Sequence, residues 1–456
     1  MDRYDAVIVG GSTTGSFFAR KLSEAGFKTL VLEKEPGGKV GAQYDIFHIP
    51  ENDFERFGLP QPVKGEDWAF RFDGSRACSA FDKNPKELSG AVVGMHKHLY
   101  TLRLNRWAMD AGAEFRYGAG FEDFTYDPAG RITGALYSRD GSIESVSARL
   151  VADCSGIPSA ARVKLPDGYG VENFKLTSDD MFYVILKYVG YPNQSDWVKR
   201  LRTWTFFKTW EAPQADPHGA ILGVGANGGF EQAERNWSIF EKTVKLPKYE
   251  LQHTERGTTP YRRPPYSFVA DSFIALGDAA CHTKPHAGEG VSSSMVMCGI
   301  AVDVMKALRG QGKDFTRANL WPINKRYIDQ QGGMYASMLA TLVGAVATNA
   351  RENDFFFEKN VIFSKESFEA MNADKPLKFS AAQTAAMAGI MLWGVLTGRL
   401  RVSTIKSLLA ALGSGGMITK LYDEYPASPD GFEEWVKRAD EAWKKCGSMA
   451  DHQLEV

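Results

Sequence analysis

The chain is poor in the features that mark several protein classes. Its five cysteines (Cys78, Cys154, Cys281, Cys298, Cys446) are an odd number without C-x-x-C spacing. That argues against a disulfide framework or a structural zinc site and for a reducing cytoplasm. Neither sign of charge is in excess: 54 Lys and Arg face 55 Asp and Glu, for a net charge of −1. No global field therefore draws the chain to nucleic acid, and an apolar or neutral small substrate suits it better. The opening MDRYDAVIVGG has no basic stretch followed by a long apolar one, so it reads as structure rather than as a signal peptide. Long apolar runs are scarce. Only AAQTAAMAGIMLWGVLTG, residues 381–398, approaches a membrane span, and Gln383, two threonines and its glycines interrupt it. It reads as a buried or membrane-touching helix, leaving peripheral membrane contact open for a cytoplasmic protein. Fixed-period repeats and low-complexity tracts are not found.

What the chain does have is length, 456 residues, enough for two packed domains with a helical appendix and for burying a large cofactor. The first 35 residues, through YDAVIVGGSTTGSFFARKLSEAGFKTLVLEKE, predict strand, glycine turn, helix and strand. Val7, Ile8 and Val9 form the continuous apolar run of a buried parallel strand, and Phe17, Leu22 and Ala25 share a helical face that Gly26 ends. Gly10, Ser12 and Gly15 take the three places of a G-x-G-x-x-G fingerprint, with Ser in the middle place and Gly11 beside it. The first place needs a tight turn, the second lets backbone approach a pyrophosphate, and the third lets helix and strand pack closely. Glu33 ends the second strand, where a carboxylate accepts from ribose hydroxyls and repels a 2′-phosphate. Dinucleotide binding follows, with FAD or NAD favoured over NADP.

Two more strand-end corners favour FAD. VADCSG places Asp153 and Gly156 at one, and FIALGDAACHTKPHAGEGV places Gly277 and Asp278 at another. A flavin dinucleotide is long and needs separate handles for adenosine, ribityl chain and ring. Pro285, Gly288 and Gly290 then lead into a helix starting at Val291, whose amides and dipole would stabilise negative charge on a reduced ring.

Along the rest of the chain, residues 41–100 read as loop-rich and 101–112 as helical, and GRITGALYSRDGSIESVSA reads as a β-meander around an Asp-Gly turn. From about 175 to 270, DMFYVILKYVG, LRTWTFFKTWEA and GAILGVGANGG predict long antiparallel strands, followed by a helix. Beyond Val291 the pattern is helical over 291–310, 319–350, 381–412 and 430–445. The expected fold class is α/β: a Rossmann-like FAD-binding domain (1–170 and 260–330), an inserted antiparallel sheet that carries the substrate (171–259) and a C-terminal helical region (331–456).

With these motifs in place, the chain resembles the glutathione-reductase-type flavoproteins of the p-hydroxybenzoate hydroxylase fold. More closely, TTPYRRPPYSFVADSFIALGDAACHTKPHAGEGVSSSM and the late LYDEYPASPDGFEEW are similar to the geranylgeranyl reductase family. The resemblance implies reduction of isolated C=C bonds in isoprenoid chains, usually on lipids, by FAD that takes its electrons from a transient donor (NAD(P)H, ferredoxin or another redox protein). It further implies adenosine contacts from Thr14, Glu33 and Lys34, contacts from Gly41, Ala42 and Tyr44, Arg103 near the pyrophosphate, Asp278 on the ribityl chain, and Gly290 and Val291 near the ring. Two family features are not found: Gly41 stands where archaeal members have a cysteine, and the Y-x-W-x-F-P sheet motif does not occur.

Other residues admit two readings. His282 and His286 flank the expected flavin site and are candidate proton donors, or they shape the loop. His96 and His98 lack the Cys, Asp or Glu company of a metal site. Ser292–Ser294 lack a G-x-S-x-G elbow and belong to a helix's first turn. Trp204, Phe206, Phe207 and Trp210 alternate as strand residues do, so that one face lines an apolar pocket or packs in the core. Cys281 is a buried filler rather than a reactive thiol. The expected activity is FAD-dependent reduction of a C=C bond in an apolar substrate. A flavin monooxygenase of an aromatic substrate and a flavin-bearing electron-transfer subunit are the alternatives.

Overall fold

A computed structural model describes residues 3–42, 46–343, 348–375, 377, 379–447, 454 and 456. The apolar run at residues 6–9 forms the centre of the first sheet, which comprises β1 (Arg3–Val9), β2 (Thr29–Glu33), β6 (Glu114–Tyr117), β7 (Gly120–Tyr126), β8 (Ile132–Arg139), β9 (Ser142–Asp153), β15 (Val269–Ala270) and β16 (Phe273–Ala275). Its order is β15-β16-β9-β1-β2-β6, with β8 and then β7 added beside β9. The expected meander is β8 and β9, turning at Asp140-Gly141, where both residues are left-handed (φ 50° and 77°). The central pairings are parallel, and their register is what builds the site: Val9 lies opposite Asp153, and Asp153 opposite Ala275. Three strands thus end side by side, and the glycine corners that follow them emerge at one edge of the sheet, where open α/β folds bind ligands.

Helices cover this sheet. α1 (Thr13–Glu24) sits between α3 (Lys97–Met109) and α5 (Val291–Gly310). Phe17, Phe18 and Leu22 of α1 are buried with Leu104 of α3 and Met297, Cys298 and Met305 of α5 in one apolar core. Each such side chain contributes about 1.5–3 kcal/mol by leaving water. α5 is long and apolar enough to cross a membrane, yet two-thirds of its apolar window is buried inside the protein, as expected of a core helix.

The second sheet has the order β14-β10-β13-β12-β11-β4-β5-β3. It draws on β10 (Met181–Gly190), β11 (Leu201–Trp204), β12 (Thr209–Pro213), β13 (Gly219–Ala226) and β14 (Glu250–Pro260), and also on β3 (Ile46–Pro50), β4 (Trp68–Cys78) and β5 (Lys86–His96). The expectation of a loop-rich 41–100 is corrected here. Two 11-residue strands occupy that stretch, and the second sheet takes three strands from within residues 1–170. A short α2 (Asn52–Phe57) is the only helix between β3 and β4. LRTWTFFKTWEA is likewise not one strand. The chain turns at Thr205–Phe207, Lys208 is left-handed (φ 50°), and β11 pairs back on β12. Trp204, Phe206 and Phe207 therefore join the core under α4 (Phe230–Thr243), with Trp237 and Phe240, and Trp210 alone faces the other side of the sheet.

The C-terminal part is helical, in more pieces than expected. α6 (Arg317–Tyr327) continues through a π-helical turn at Ile328–Gly332 into α7 (Gly333–Val343). α8 (Ala350–Lys359), α9 (Lys365–Asn372), α10 (Ala381–Leu396), α11 (Val402–Asp423) and α12 (Phe432–Cys446) follow. Their shared core with the first sheet includes Tyr425, Trp321 and Trp435; the indole nitrogens of Trp321 and Trp435 donate to Pro426 O and Leu421 O respectively (both 2.9 Å).

Candidate functional site

The glycine turn after β1 has no room for side chains. Gly10 has φ 99°, and a Cβ on Gly15 would stand 1.9 Å from Gly10 O. Glu33 closes the turn: its carboxylate accepts from Gly11 N at 2.6 Å and from Glu35 N at 2.8 Å. Each oxygen retains a further lone pair for a ligand hydroxyl. Asn105 of α3, which carries no motif, completes the support by donating to Gly11 O (2.7 Å) and Ser16 Oγ (2.6 Å) and accepting from Tyr117 OH (3.1 Å). Ser12 caps α1 in position only; its side chain accepts no amide hydrogen bond. The first-turn amides of α1 stay available to an anion.

The third corner meets this turn. A Cβ on Gly277 (φ 66°) would lie 2.8 Å from Thr14 Oγ1, and one on Gly290 would lie 3.0 Å from Asp278 Oδ1. Thr14, Gly277, Asp278 and Gly290, separated by up to 276 residues in sequence, thus form one continuous surface. Gly290 brings no side chain to the N-terminus of α5, whose amides are left without a side-chain cap. Burial raises the Asp278 pKa above the usual carboxylate range, while the charge of Lys97 and the Thr283 hydroxyl (3.4 Å) pull the other way. Pro285 is buried, Gly288 (φ 69°) turns the loop, and Val291 begins the helix half-buried.

Other sequence-selected residues have different duties. The Asp153 carboxylate is taken up by its own loop, accepting from Ser155 N and Oγ and from the amides of Ala161 and Arg162 (2.6–3.0 Å). It shapes the corner at Gly156 (φ 76°) and is not an open ligand acceptor. Arg103 is paired through Nε and Nη2 with Asp67 and Glu66 (2.7 Å to Glu66). Lys34 is exposed beside Glu35. Gly41 (φ 78°) packs on Thr101 of α3, and Ala42 follows in the same turn. Tyr44 lies outside the described residues.

Of the two readings of His282, the surroundings of its ring favour loop support over proton donation. Its ring is completely buried between Phe268 and Tyr327, with centroids 4.9 and 4.8 Å away. Its Nδ1 accepts from Gly277 N at 3.3 Å, and burial lowers its pKa to about 3. His282 is a neutral prop for the Gly277 corner. His286 is also kept neutral, its pKa lowered to about 4 by burial, with Lys284 adding to the shift. Neither of its ring nitrogens has a partner among the described residues. The serine run bolts the loop down: Ser292 Oγ bonds to Asp53, Ser293 Oγ to His282 O, and Ser294 Oγ to Gly290 O (2.5 Å). The cysteines are buried thiols, and burial pushes Cys281 up to about 12. No cluster of metal-ligating side chains occurs among the described residues.

Opposite the loop lies one face of the second sheet. Pairing of Val184 with Gly225, Leu186 with Gly223 and Trp210 with Gly223 puts these positions on the face turned away from α4. The rings of Phe182 and Trp210 lie over Gly225 and Gly223, where a Cβ would come within 2.1 and 2.0 Å of them. Phe182, Val184, Leu186 and Trp210 are only half-buried. Thr259, opposite Phe182 in the register, reaches Thr283 of the loop before α5 at 3.5 Å, which sets this face against that loop.

No family model matches the chain. Over 462 aligned residues, which cover 96% of the chain and 97% of the relative, it is 26% identical to a digeranylgeranylglycerophospholipid reductase of Sulfolobus acidocaldarius. It is 23% identical to a para-nitrophenol 4-monooxygenase of a Pseudomonas species, over 71% of the chain and 82% of the relative. Among solved structures, a geranylgeranyl bacteriochlorophyll reductase-like protein of Thermoplasma acidophilum superimposes with a TM-score of 0.65 at 16% identity, covering 87% of the chain and 99% of that protein. A flavin-dependent brominase (TM-score 0.57) and a p-nitrophenol 4-monooxygenase (TM-score 0.55) share the fold. The resemblance carried by the glycine corners therefore extends along the whole chain: in sequence and in fold it is similar to the geranylgeranyl reductases.

Proposed function

We propose that this protein is an FAD-dependent oxidoreductase that reduces a C=C bond of an isoprenoid or other lipid chain. The observation that carries the reading is the apolar sheet face of Phe182, Val184, Leu186 and Trp210 set against the loop 283–290, within reach of the Gly277–Asp278 corner. The full-length similarity to a digeranylgeranylglycerophospholipid reductase supports it.

The residues fit FAD. The turn at Gly10 and Gly15 is a cradle that a Cβ would fill, and Glu33 offers carboxylate oxygens to a ribose. The side-chain-free N-termini of α1 and α5 suit a pyrophosphate and an electron-rich ring edge. Asp278, next to Gly277 at Thr14 and facing Gly290, would meet the ribityl chain. When bound and reduced, FAD would supply a hydride to one carbon of the double bond, and the other carbon would take a proton from water. The chain's own part would be to hold the alkene: Phe182 and Trp210 give a flat apolar surface, and the loop 283–290 meets the sheet through Thr283 and Thr259. A neutral imidazole at His286 offers one N–H donor and one acceptor to a polar group at the ring or substrate. Electrons arrive from a transient donor, NAD(P)H or a redox protein.

The test is single turnover. FAD-loaded protein, reduced without oxygen, is mixed with a lipid bearing geranylgeranyl chains, and the product is read by mass. A gain of two hydrogens per double bond is expected, and an unchanged lipid would overturn the reading. The similarity to a para-nitrophenol 4-monooxygenase favours one alternative, hydroxylation of an aromatic substrate. Rapid oxygen-dependent NADPH consumption with para-nitrophenol would select that outcome.

A further inference from the structure

We propose that the α10–α11 hairpin docks this protein on the surface of an anionic lipid bilayer. Of the sixteen residues of α10 only Gly394 is buried. Leu392, Trp393 and Leu396 are 60%, 45% and 77% exposed, and Val402, Leu409 and Leu412 of α11 are 54%, 59% and 48% exposed. Among the described residues, eight of the fifteen exposed large apolar side chains fall within residues 377–412, so the exposure is a patch rather than a scatter. At 1.5 Å per residue α10 is about 24 Å long, short of the roughly 30 Å of a bilayer core. It is therefore suited to lie in the interface and not to span it.

Charge selects the occupant. From residue 375 to 422 the chain has six basic residues (Lys375, Lys378, Arg399, Arg401, Lys406, Lys420) and no acidic one, in a protein of net charge −1. Arg399 and Arg401 are paired from behind with Glu358 and Glu352 of α8. Lys406 shares a face of α11 with Val402 and Leu409 and is exposed. A second copy of the chain would set this basic segment against itself, whereas phosphatidylglycerol-like headgroups complement it. The hairpin is also joined to the substrate side of the protein. Met387, Ile390, Met391 and Val395 of α10 pack on Phe355 and Phe356 of α8. The next residue, Phe357, packs on Ala77 and Leu88 at the edge of the apolar sheet face. That a docked bilayer delivers the substrate rests on the function proposed above; docking itself does not.

Full-length protein is sedimented with phosphatidylglycerol vesicles and with phosphatidylcholine vesicles. Binding to the former is expected to exceed binding to the latter about tenfold, and W393Q/L396E is expected to lower it by a similar factor with circular dichroism and flavin content unchanged. Should that variant misfold, K406E/L409E on α11 gives a second reading with the same expected loss. Wild-type protein that stays in solution with phosphatidylglycerol overturns the proposal. So does a correctly folded variant that binds as the wild type does, or a dimer that the substitutions convert to monomer without any vesicle binding. Vesicle binding without reduction of any prenyl chain would leave docking standing and remove the substrate assignment; reduction without vesicle binding would do the reverse.

Discussion

Lys284 Nζ lies 2.6 Å from Asp374 Oδ1, tying the loop between the Gly277–Asp278 corner and α5 to the segment after α9. Asp374 also receives Tyr335 OH (3.1 Å) and Gln331 Nε2 (3.3 Å). The C-terminal helices are thereby anchored to the loop before α5 through one nearly buried lysine. Lys284→Met is expected to lower stability by about 1–3 kcal/mol, less than a wholly buried pair would lose, because Asp374 is partly exposed and keeps two donors. Asp374→Asn should cost less. Urea midpoints of the two variants check the order.

Gly277→Ala should cost flavin. The substitution meets both a left-handed φ and Thr14 at 2.8 Å, whereas Gly130, in the β7–β8 turn, has φ 80° and open space around it. Both variants carry a backbone penalty of about 1 kcal/mol. Only Gly277→Ala is expected to purify with a clearly reduced ratio of visible to protein absorbance.

Glu33→Ala removes the acceptor of two amides, Gly11 N and Glu35 N. Leaving buried donors unpaired costs about 1–3 kcal/mol each. A fall in melting temperature and in FAD occupancy is expected, with Glu33→Gln intermediate because it keeps one acceptor oxygen. Calorimetry with and without added FAD separates the two effects.

Acid sensitivity should trace in part to Glu172. Burial works against its charge, but the Arg263 guanidinium, bonded to both oxygens at 2.8 Å, and Tyr266 N hold its pKa below the usual carboxylate value. A depressed carboxylate stabilises the native state above its unfolded pKa, and that contribution fades as pH falls through the folded one. The stability gap between wild type and Glu172→Gln should therefore narrow on acidification, as urea midpoints across that range would show.

Val184→Lys places a charge on the apolar sheet face without touching the glycine corners. Flavin content should be unchanged, while turnover of a long-chain substrate falls by about tenfold or more. Equal losses with a short, polar acceptor would point to a structural effect instead.

The strand-turn-helix-strand at the N-terminus and the three glycine corners were legible because each is local: an apolar run, a turn residue and a following helix sit within a few residues. The second sheet was less so. In β4 and β5, Gly74 and the Asp82–Asn84 turn mimic loop signals, though Gly74 is a bulge in a continued strand pair and the left-handed Asp82 and Asn84 lie in the turn between strands. The reversal at Thr205–Lys208 has no Gly, Pro, Asn or Asp to announce it, which made two short strands read as one. Asn105 was invisible as a lone polar residue in a helix, and its importance appears only when folding brings it to Gly11. His282 attracted a chemical reading because sequence cannot report that Phe268 and Tyr327 enclose it.

Gly223 and Gly225 have one more consequence. Beneath the rings of Phe182 and Trp210 lies the main chain of Gly225 and Gly223, so under these two rings there are no side-chain atoms to trim. Substitution at either glycine can only raise that floor and tilt a ring. A change of girth between this face and the loop would have to come from its four side chains, Phe182, Val184, Leu186 and Trp210, or from the loop itself, and these are the positions at which selectivity would drift while the sheet stays the same.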